Sequence, residues 1–115
     1  MPEIIQDYLP LTETTFYILL SMAVERKHGY AIIKDMEALS KGRVVPSTGT
    51  LYGALSRLLD QGLIERVAEE NPEEVGRPRK FYSLTKFGSK LLEAEMERLR
   101  SLVVTAEQRT ALNME

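Results

Sequence analysis

The chain has 115 residues, with 15 Lys and Arg against 17 Asp and Glu, and it contains no cysteine and no tryptophan. A chain of this length supports one small domain and leaves no room for a second independent core. Without cysteine there is no disulfide framework and no thiolate metal site, and the single histidine, His28, cannot build a multi-histidine metal site. We therefore expect no metal and no other cofactor.

The same composition argues against insertion into a membrane. The longest nearly apolar run, Phe16 to Val24, is far shorter than the roughly 20 residues that cross a bilayer. Glu3 and Asp7 stand where a signal peptide would carry its cations. The expectation is a cytoplasmic protein with no membrane partner.

The net charge of −2 conceals two basic segments. Residues 26–66 carry seven cations against four acids, and residues 77–90 carry five cations and no acid. Between them, residues 69–76 hold four glutamates. Because a nucleic-acid footprint is a local property of one face, the balanced total does not argue against binding to DNA.

The first half of the chain predicts three helices. Thr12 and Glu13 begin a helix over residues 12–25 that is apolar nearly all round and is expected to be buried. A second, amphipathic helix follows Gly29, closes at Lys41 with Gly42 at the C′ position, and has an apolar face of Ile32, Ile33, Met36 and Leu39. A third helix is capped by Ser47 and stopped by Gly62, with an apolar stripe of Leu51, Ala54, Leu55, Leu58 and Leu59.

After Gly62 the pattern predicts a β-hairpin and a last helix. The segments 63–68 and 79–84 are rich in β-branched and aromatic residues and are joined by a link that contains Asn, Pro and Gly. Three helices and a hairpin indicate a mainly α fold, a winged helix-turn-helix over residues 1–84. Thr85 begins a C-terminal dimerisation helix, residues 85–115, within one structural domain overall. Its last residues, from about Gln108, are polar enough that we expect them to fray.

The last helix carries a regular apolar seam. Leu92, Met96, Leu99, Val103 and Ala106 recur at spacings of 4, 3, 4 and 3, the pattern of a coiled-coil contact. A lone protomer would expose this continuous stripe, so we expect a second copy of the chain to bury it.

The exposed face of the third helix is the strongest candidate for DNA contact. Gly49, Gly53, Ser56, Arg57 and Asp60 lie opposite the apolar stripe and Tyr52 lies at its edge. A glycine inside a helix costs about 0.5 to 1 kcal/mol relative to alanine, so two of them suggest close approach to another surface. The predicted DNA-binding residues here are Ser47, Thr48, Gly49, Thr50, Tyr52, Gly53, Ser56 and Arg57. The alternative is a weak surface helix whose glycines have no function.

The segment Gly76-Arg77-Pro78-Arg79-Lys80 is a second candidate. Three cations cluster at the start of a strand, so Arg77, Arg79 and Lys80 are predicted to contact phosphates; the alternative is an ordinary solvated charge run. The four glutamates of the wing tip would repel phosphate, so we expect the tip to lie away from the DNA backbone.

No group of residues suggests catalysis. The serines lack a histidine partner, and neither a P-loop nor a GxGxxG turn is present, so we do not expect an enzyme. His28 beside Gly29 is interpreted as a capping residue. The aromatic residues Tyr30, Phe81, Tyr82 and Phe87 are expected in the core or on strand faces, because they are scattered among elements.

Three separated motifs resemble the PadR family of bacterial transcriptional regulators. They are His28-Gly29-Tyr30, then Ser47 to Tyr52 with Gly62-Leu63-Ile64, then Gly76 to Tyr82 with Leu84-Thr85 and Gly88. The similarity covers about residues 11–103. It implies a homodimeric repressor, with the second and third helices and the wing on double-stranded DNA and the last helix pairing the protomers. The single short C-terminal helix resembles the smaller subgroup, in which some members take flat drugs or phenolic compounds between the protomers, so a small-molecule effector of unknown identity is a further expectation.

A winged-helix protein-interaction module without DNA binding is the competing function. Such a module would keep the core stripe but use the third helix against a protein. An interaction face should expose apolar anchors rather than glycines, a serine and an arginine, so the charge and residue types favour DNA.

Overall fold

The structure, a computed structural model, describes residues 4–68 and 80–113. A short 3-10 helix, Ile5–Tyr8, precedes the main elements, which in chain order are α1 (Glu13–Ser21), β1 (Lys27–His28), α2 (Gly29–Leu39), α3 (Thr48–Asp60), β2 (Ile64–Val67), β3 (Phe81–Leu84) and α4 (Lys86–Asn113). The predicted fold class is confirmed: three helices, a hairpin and a long last helix occur in the expected order.

The sheet has three antiparallel strands rather than a lone hairpin, in the order β1-β3-β2. In the hairpin, Ile64 pairs with Leu84 and Val67 pairs with Phe81. The added strand β1 pairs His28 with Phe81 on the other edge of β3. The sequence prediction missed β1 because two residues are too few to show an alternating pattern.

The predicted helix starts are confirmed, whereas two of the ends are shifted. The Thr12 hydroxyl accepts a hydrogen bond from the Thr15 amide at 3.1 Å, which caps α1, but α1 ends at Ser21 instead of residue 25. The placement of Gly42 at the C′ position of α2 is wrong by one residue. The left-handed C′ residue is Lys41, at φ 56°, and Gly42 follows it at φ 77° with its amide bonded to the Glu37 carbonyl at 2.8 Å.

Both predicted ends of α3 are confirmed. The Ser47 hydroxyl accepts a hydrogen bond from the Thr50 amide at 3.2 Å. At the other end Gly62 adopts φ 73°, and the amides of Gly62 and Leu63 bond to the carbonyls of Leu59 and Leu58, each at 3.0 Å. These caps fix where the helix begins and how the chain turns into β2.

The core lies between the first three helices, the sheet and the start of α4. Its buried members include Ile18, Leu19, Ile32, Met36, Leu51, Leu55, Leu58, Tyr82, Leu91 and Leu92. Two expectations about burial are wrong. Leu39 is exposed because it is the last residue of α2, beyond the edge of the core, and Tyr30 is 65% exposed at the first turn of that helix.

The first turn of α4 lies against the turn that follows α3. The Thr85 amide bonds to the Leu63 carbonyl at 3.1 Å, and the Thr85 hydroxyl donates to the Gly62 carbonyl at 2.6 Å. That hydroxyl also accepts from the Gly88 amide at 3.0 Å. A Cβ on Gly88 would collide with the Leu63 carbonyl group, so glycine is what permits this close approach.

Helix α4 has 28 residues and is therefore about 42 Å long at 1.5 Å per residue. Its early turns enter the core, but every residue from Leu99 to Ala111 is exposed. The helix continues to Asn113, and the fraying from about Gln108 stays a prediction. Within residues 4–68 and 80–113, we find no helix both long and apolar enough to cross a membrane.

Candidate nucleic-acid interface

The exposed face of α3 is formed by polar and small residues. Leu51, Ala54, Leu55 and Leu58 are buried, and the helix turns its other side to solvent. The predicted face is exposed at each of its positions on α3 and at the cap: Ser47, Thr48, Gly49, Thr50, Tyr52, Gly53, Ser56 and Arg57. The structure therefore brings these residues together on one side of one helix, with no other described element covering them.

The two glycines on this face have no packing role among the described residues. A Cβ built on Gly49 or on Gly53 would meet no atom of residues 4–68 or 80–113 within 4 Å. Gly29 and Gly88 differ, because a Cβ on either would collide with another part of the protein. Tight packing within the chain therefore does not explain Gly49 and Gly53, whereas close approach to an external surface would.

The hydroxyl groups at the start of α3 are partly engaged within the helix. Ser47 Oγ accepts from the Thr50 amide and lies 3.0 Å from Thr50 Oγ1, to which it donates. These two side chains thereby order the first turn of α3, and each hydroxyl retains capacity for a further partner.

Tyr52 differs from the other residues of the face because its side chain contacts another helix. Tyr52 is 44% exposed as a residue, but its phenol end covers the backbone of Gly29, the first residue of α2. The sequence placed Tyr52 at the edge of the face. It could not show this contact, because Gly29 and Tyr52 belong to different elements.

The first turn of α2 presents an aromatic ring and a cation beside α3. Tyr30 projects from the surface and the Lys34 amine lies 5.6 Å from the centre of its ring. An open cleft beside them is lined by His28, Ala31 and Asp35 as well. His28 Nδ1 accepts a hydrogen bond from the Ala31 amide at 3.2 Å, which confirms the predicted capping role. The exposure of Tyr30 could have been suspected from its position opposite the Ile32 and Met36 face.

Two cations of the basic segment 26–66 form ion pairs within the protein. Arg43 pairs with Glu13 at 2.8 Å, and the hydrogen bond that it donates to this carboxylate raises the pKa of Arg43. Lys27 is mostly buried and lies 3.7 Å from both Glu25 and Asp35. Lys34, Lys41, Arg57 and Arg66 form no ion pair with another described residue, so the cations available to an anionic partner are fewer than the sequence count suggests.

The wing is described only at its base. Lys80 is exposed just before β3, whereas Arg77 and Arg79 and the four glutamates of the predicted tip lie outside the described residues. Arg26 donates from Nη1 to the Ala68 carbonyl at 2.9 Å, where β2 ends. This hydrogen bond joins the turn after α1 to the base of the wing.

The apolar seam of α4 differs from the prediction at its first residue. Leu92 is 5% exposed and belongs to the protomer's own core, so the expectation that a lone protomer exposes it is wrong. It follows directly after Leu91, which is also buried in that core, because this part of α4 still packs on the rest of the protomer. Met96, Leu99, Val103 and Ala106 are exposed, and so are two further apolar residues that the seam did not include, Leu102 and Val104.

A buried carboxylate, that of Glu95, lies near the point where α4 stops packing on the rest of the protomer. Glu95 is 2% exposed and accepts hydrogen bonds from the Leu11 amide at 2.9 Å and from Arg98 Nη2 at 3.1 Å. The Arg98 hydrogen bonds, helped by the Leu11 amide, lower the pKa of Glu95 although burial acts in the opposite direction. The sequence interpretation did not single out this residue, because its contact with Leu11 joins two distant parts of the chain.

Comparison of the sequence with known families and proteins finds similarity to transcriptional regulators. The model of the Transcriptional regulator PadR-like family matches residues 18–94. Transcriptional regulator YqjI of Escherichia coli K12 is 32% identical over 90 residues, which are 78% of this chain and 41% of that protein. The chain thus spans about two fifths of the length of this curated relative.

Two solved structures share the fold. A PadR family transcription regulator from Clostridium difficile R20291 has a TM-score of 0.71 at 24% identity, covering 86% of this chain and 99% of that one. Bacillus subtilis PadR in complex with operator DNA has a TM-score of 0.61 at 21% identity, covering 70% of this chain and 45% of that one.

Proposed function

Because this chain belongs to the PadR-like family of transcriptional regulators, we propose that it binds a pseudo-palindromic operator as a homodimer, with the exposed face of α3 in the major groove. Repression is the proposed outcome, since it requires only that the protein occupy its site. Lys80 at the base of the wing is proposed to contact a phosphate on the adjacent backbone, and the same contact is proposed for Arg77 and Arg79, which precede it in the sequence.

The observation that carries this proposal is the pair of glycines on the face of α3. Gly49 and Gly53 have open space where a side chain would be, at a cost in helix stability of about 0.5 to 1 kcal/mol each. Their absence of side chains would let the helix approach base edges, within reach of Thr48, Ser56 and Arg57. A protein-interaction module would instead need apolar anchors, and the face offers only Tyr52, which already covers Gly29.

The solved complex of Bacillus subtilis PadR with operator DNA supports the same function by its shared fold. A feature of this chain, Arg57, also supports DNA binding. Arg57 is exposed on α3 and has no ion-pair partner among the described residues. An unpaired cation on the proposed interface can exchange condensed counterions for a phosphate contact.

The test measures affinity for labelled duplexes that tile the DNA upstream of the chain's own gene, across a salt series. The logarithm of the association constant should fall linearly with the logarithm of the salt concentration, by about 0.9 per phosphate contact. Arg57→Ala should flatten this slope by about 2, because a dimer loses two contacts. Arg100→Ala is the matched control, since Arg100 is also exposed, on α4, but pairs with Glu97. Absence of binding to every duplex, or equal slopes for both variants, would contradict the proposal.

The proposed dimer rests on the exposed part of α4. Met96, Leu99, Leu102, Val103 and Val104 are all among the exposed large apolar residues of the described chain, and they occupy less than three turns of one helix. A soluble monomer seldom exposes so continuous a patch, and a second copy of the same helix would cover it symmetrically. The two copies of α3 would then lie about one turn of DNA apart, roughly 34 Å, which is why a pseudo-palindrome is expected.

Sedimentation of two single variants tests the dimer. Leu99→Glu would bring two carboxylates together across a symmetric interface and should yield monomers at micromolar concentration. Val24→Glu is the control, because Val24 is 90% exposed but lies in the turn after α1, away from the exposed part of α4. If Leu99→Glu remains a dimer, the exposed part of α4 does not pair the protomers.

A further inference from the structure

We propose that Tyr52 is a positioning residue, which sets the orientation of α3 on DNA by resting its ring on Gly29 rather than by bonding to DNA. The inference rests on the proposed DNA binding and adds to it a role for a pair of residues in different elements. We call this pair the Gly29–Tyr52 contact.

The geometry of the contact is close. A Cβ on Gly29 would lie 2.8 Å from Tyr52 Cζ and would also collide with the hydroxyl oxygen. Gly29 is buried beneath this ring, although nearly half of the Tyr52 side chain remains in contact with solvent. The phenol end of Tyr52 therefore points at the backbone of α2.

Only the ring of Tyr52 requires glycine at position 29. Gly29 is the first residue of α2 and is not one of the residues with a positive φ, so its backbone would accept alanine without strain. Alanine would even favour the helix. The nearest atoms to the added methyl group all belong to Tyr52. Glycine at position 29 therefore leaves the space that the Tyr52 ring occupies.

The position of the contact links two parts of the proposed interface. On one side Tyr52 belongs to α3. On the other side Gly29 follows directly after β1, whose His28 pairs with Phe81 of β3, and β3 is the strand that leads out of the wing. The core contacts of α2 with α3 lie deeper, at Ile32, Met36 and Leu51. The Gly29–Tyr52 contact therefore joins the solvent-facing edge of α3, through β1, to the base of the wing.

Removing the contact should change DNA affinity more than stability. In Gly29→Ala the methyl group would displace the end of a half-exposed side chain, which can swing into solvent, so the core keeps its packing. The orientation of α3 relative to the wing would become less restricted. We expect the affinity for the best upstream duplex to fall by about 10-fold, with a melting temperature within a few degrees of the parent.

Variants at position 52 separate positioning from direct contact with DNA. Tyr52→Phe keeps the ring on Gly29 and should retain affinity to within about 2-fold, with the salt slope of the parent. Tyr52→Ala removes the ring and should lose about 10-fold. Adding Gly29→Ala to Tyr52→Ala should cause no further loss, because the two single changes remove the same interaction.

The decisive experiment measures dissociation constants of the parent and these four variants for one labelled upstream duplex at several salt concentrations, with melting temperatures recorded alongside. If Tyr52→Phe loses as much affinity as Tyr52→Ala and flattens the salt slope, the hydroxyl bonds to phosphate and the inference is overturned. Additive losses in the double variant, or parental affinity in Gly29→Ala, overturn it as well. If Gly29→Ala does not fold, the comparison of Tyr52→Phe with Tyr52→Ala decides alone. Failure of the parent to bind any duplex overturns the proposed function and this inference together.

Discussion

Replacing Gly88 by alanine should destabilise the protein, whereas the same replacement at Gly53 should not. A Cβ on Gly88 would lie 2.9 Å from the Leu63 carbonyl carbon and nearer still to its oxygen. Carbon atoms in favourable contact are about 3.5 to 4.0 Å apart. The added Cβ is fixed to the backbone of α4 and the Leu63 carbonyl group is itself backbone, so neither can rotate away. The start of α4 therefore has to move.

The size of the effect follows from what that movement disturbs. Overpacking of this kind costs about 1 to 3 kcal/mol. The Thr85 hydrogen bonds to Leu63 and Gly62, at 3.1 and 2.6 Å, are each worth about 0.5 to 1.5 kcal/mol and would weaken. Alanine returns about 1 kcal/mol through its better helix propensity. We expect Gly88→Ala to lower the free energy of unfolding by about 3 kcal/mol.

Urea unfolding followed by circular dichroism measures this difference, at one fixed protomer concentration because the stability of a dimer depends on concentration. Gly53→Ala is the matched control. Its Cβ would meet open space, so only helix propensity acts and the free energy of unfolding should rise by up to about 1 kcal/mol. An unchanged unfolding midpoint in Gly88→Ala would refute the claim that α4 lies directly on the Leu63 carbonyl.

Three further predictions concern a buried carboxylate and a turn. Glu95→Gln should lower the free energy of unfolding by about 1 to 3 kcal/mol, whereas Glu97→Gln, in an exposed pair, should cost less than about 0.5 kcal/mol; equal losses on thermal unfolding would contradict the burial of Glu95. Because the pKa of Glu95 is lowered below its ordinary value of 4.5, its stabilisation should be complete above that pH and be lost as the pH falls through the folded value; an advantage over Glu95→Gln that persists in stronger acid would argue against this. Lys41→Gly should raise the free energy of unfolding by about 0.5 to 1 kcal/mol, since Lys41 adopts φ 56°, and a lowered melting temperature would count against it.

Local features of the fold could be predicted from the sequence. Ser47 and Gly62 gave both ends of α3, because capping and a left-handed turn depend on a few neighbouring residues. The apolar stripe of α3 gave its buried face, because helical spacing alone decides which side chains share a side. The exposed candidate face follows from the same geometry, whereas its contact with DNA stays a prediction.

Features that depend on distant parts of the chain could not be predicted. The strand β1 is defined only by its pairing with β3, more than fifty residues later. Glu95 is buried where the fold places it against Leu11, whose amide bonds to its carboxylate. Leu92 is buried because that turn of α4 still packs on the core. The requirement for Gly29 arises from Tyr52. Hydrophobic spacing and capping rules describe one element at a time and hold no information about these contacts.

The central claim, that the exposed face of α3 enters the major groove, is tested most directly by the dissociation constant of Gly53→Leu for the duplex that the parent binds best. The leucine side chain would project into open space, so the melting temperature and the dimer should be preserved. The account predicts that affinity falls to the level of nonspecific DNA, about 1,000-fold or more weaker. A Gly53→Leu protein that binds the duplex as tightly as the parent would show that this face does not enter the groove.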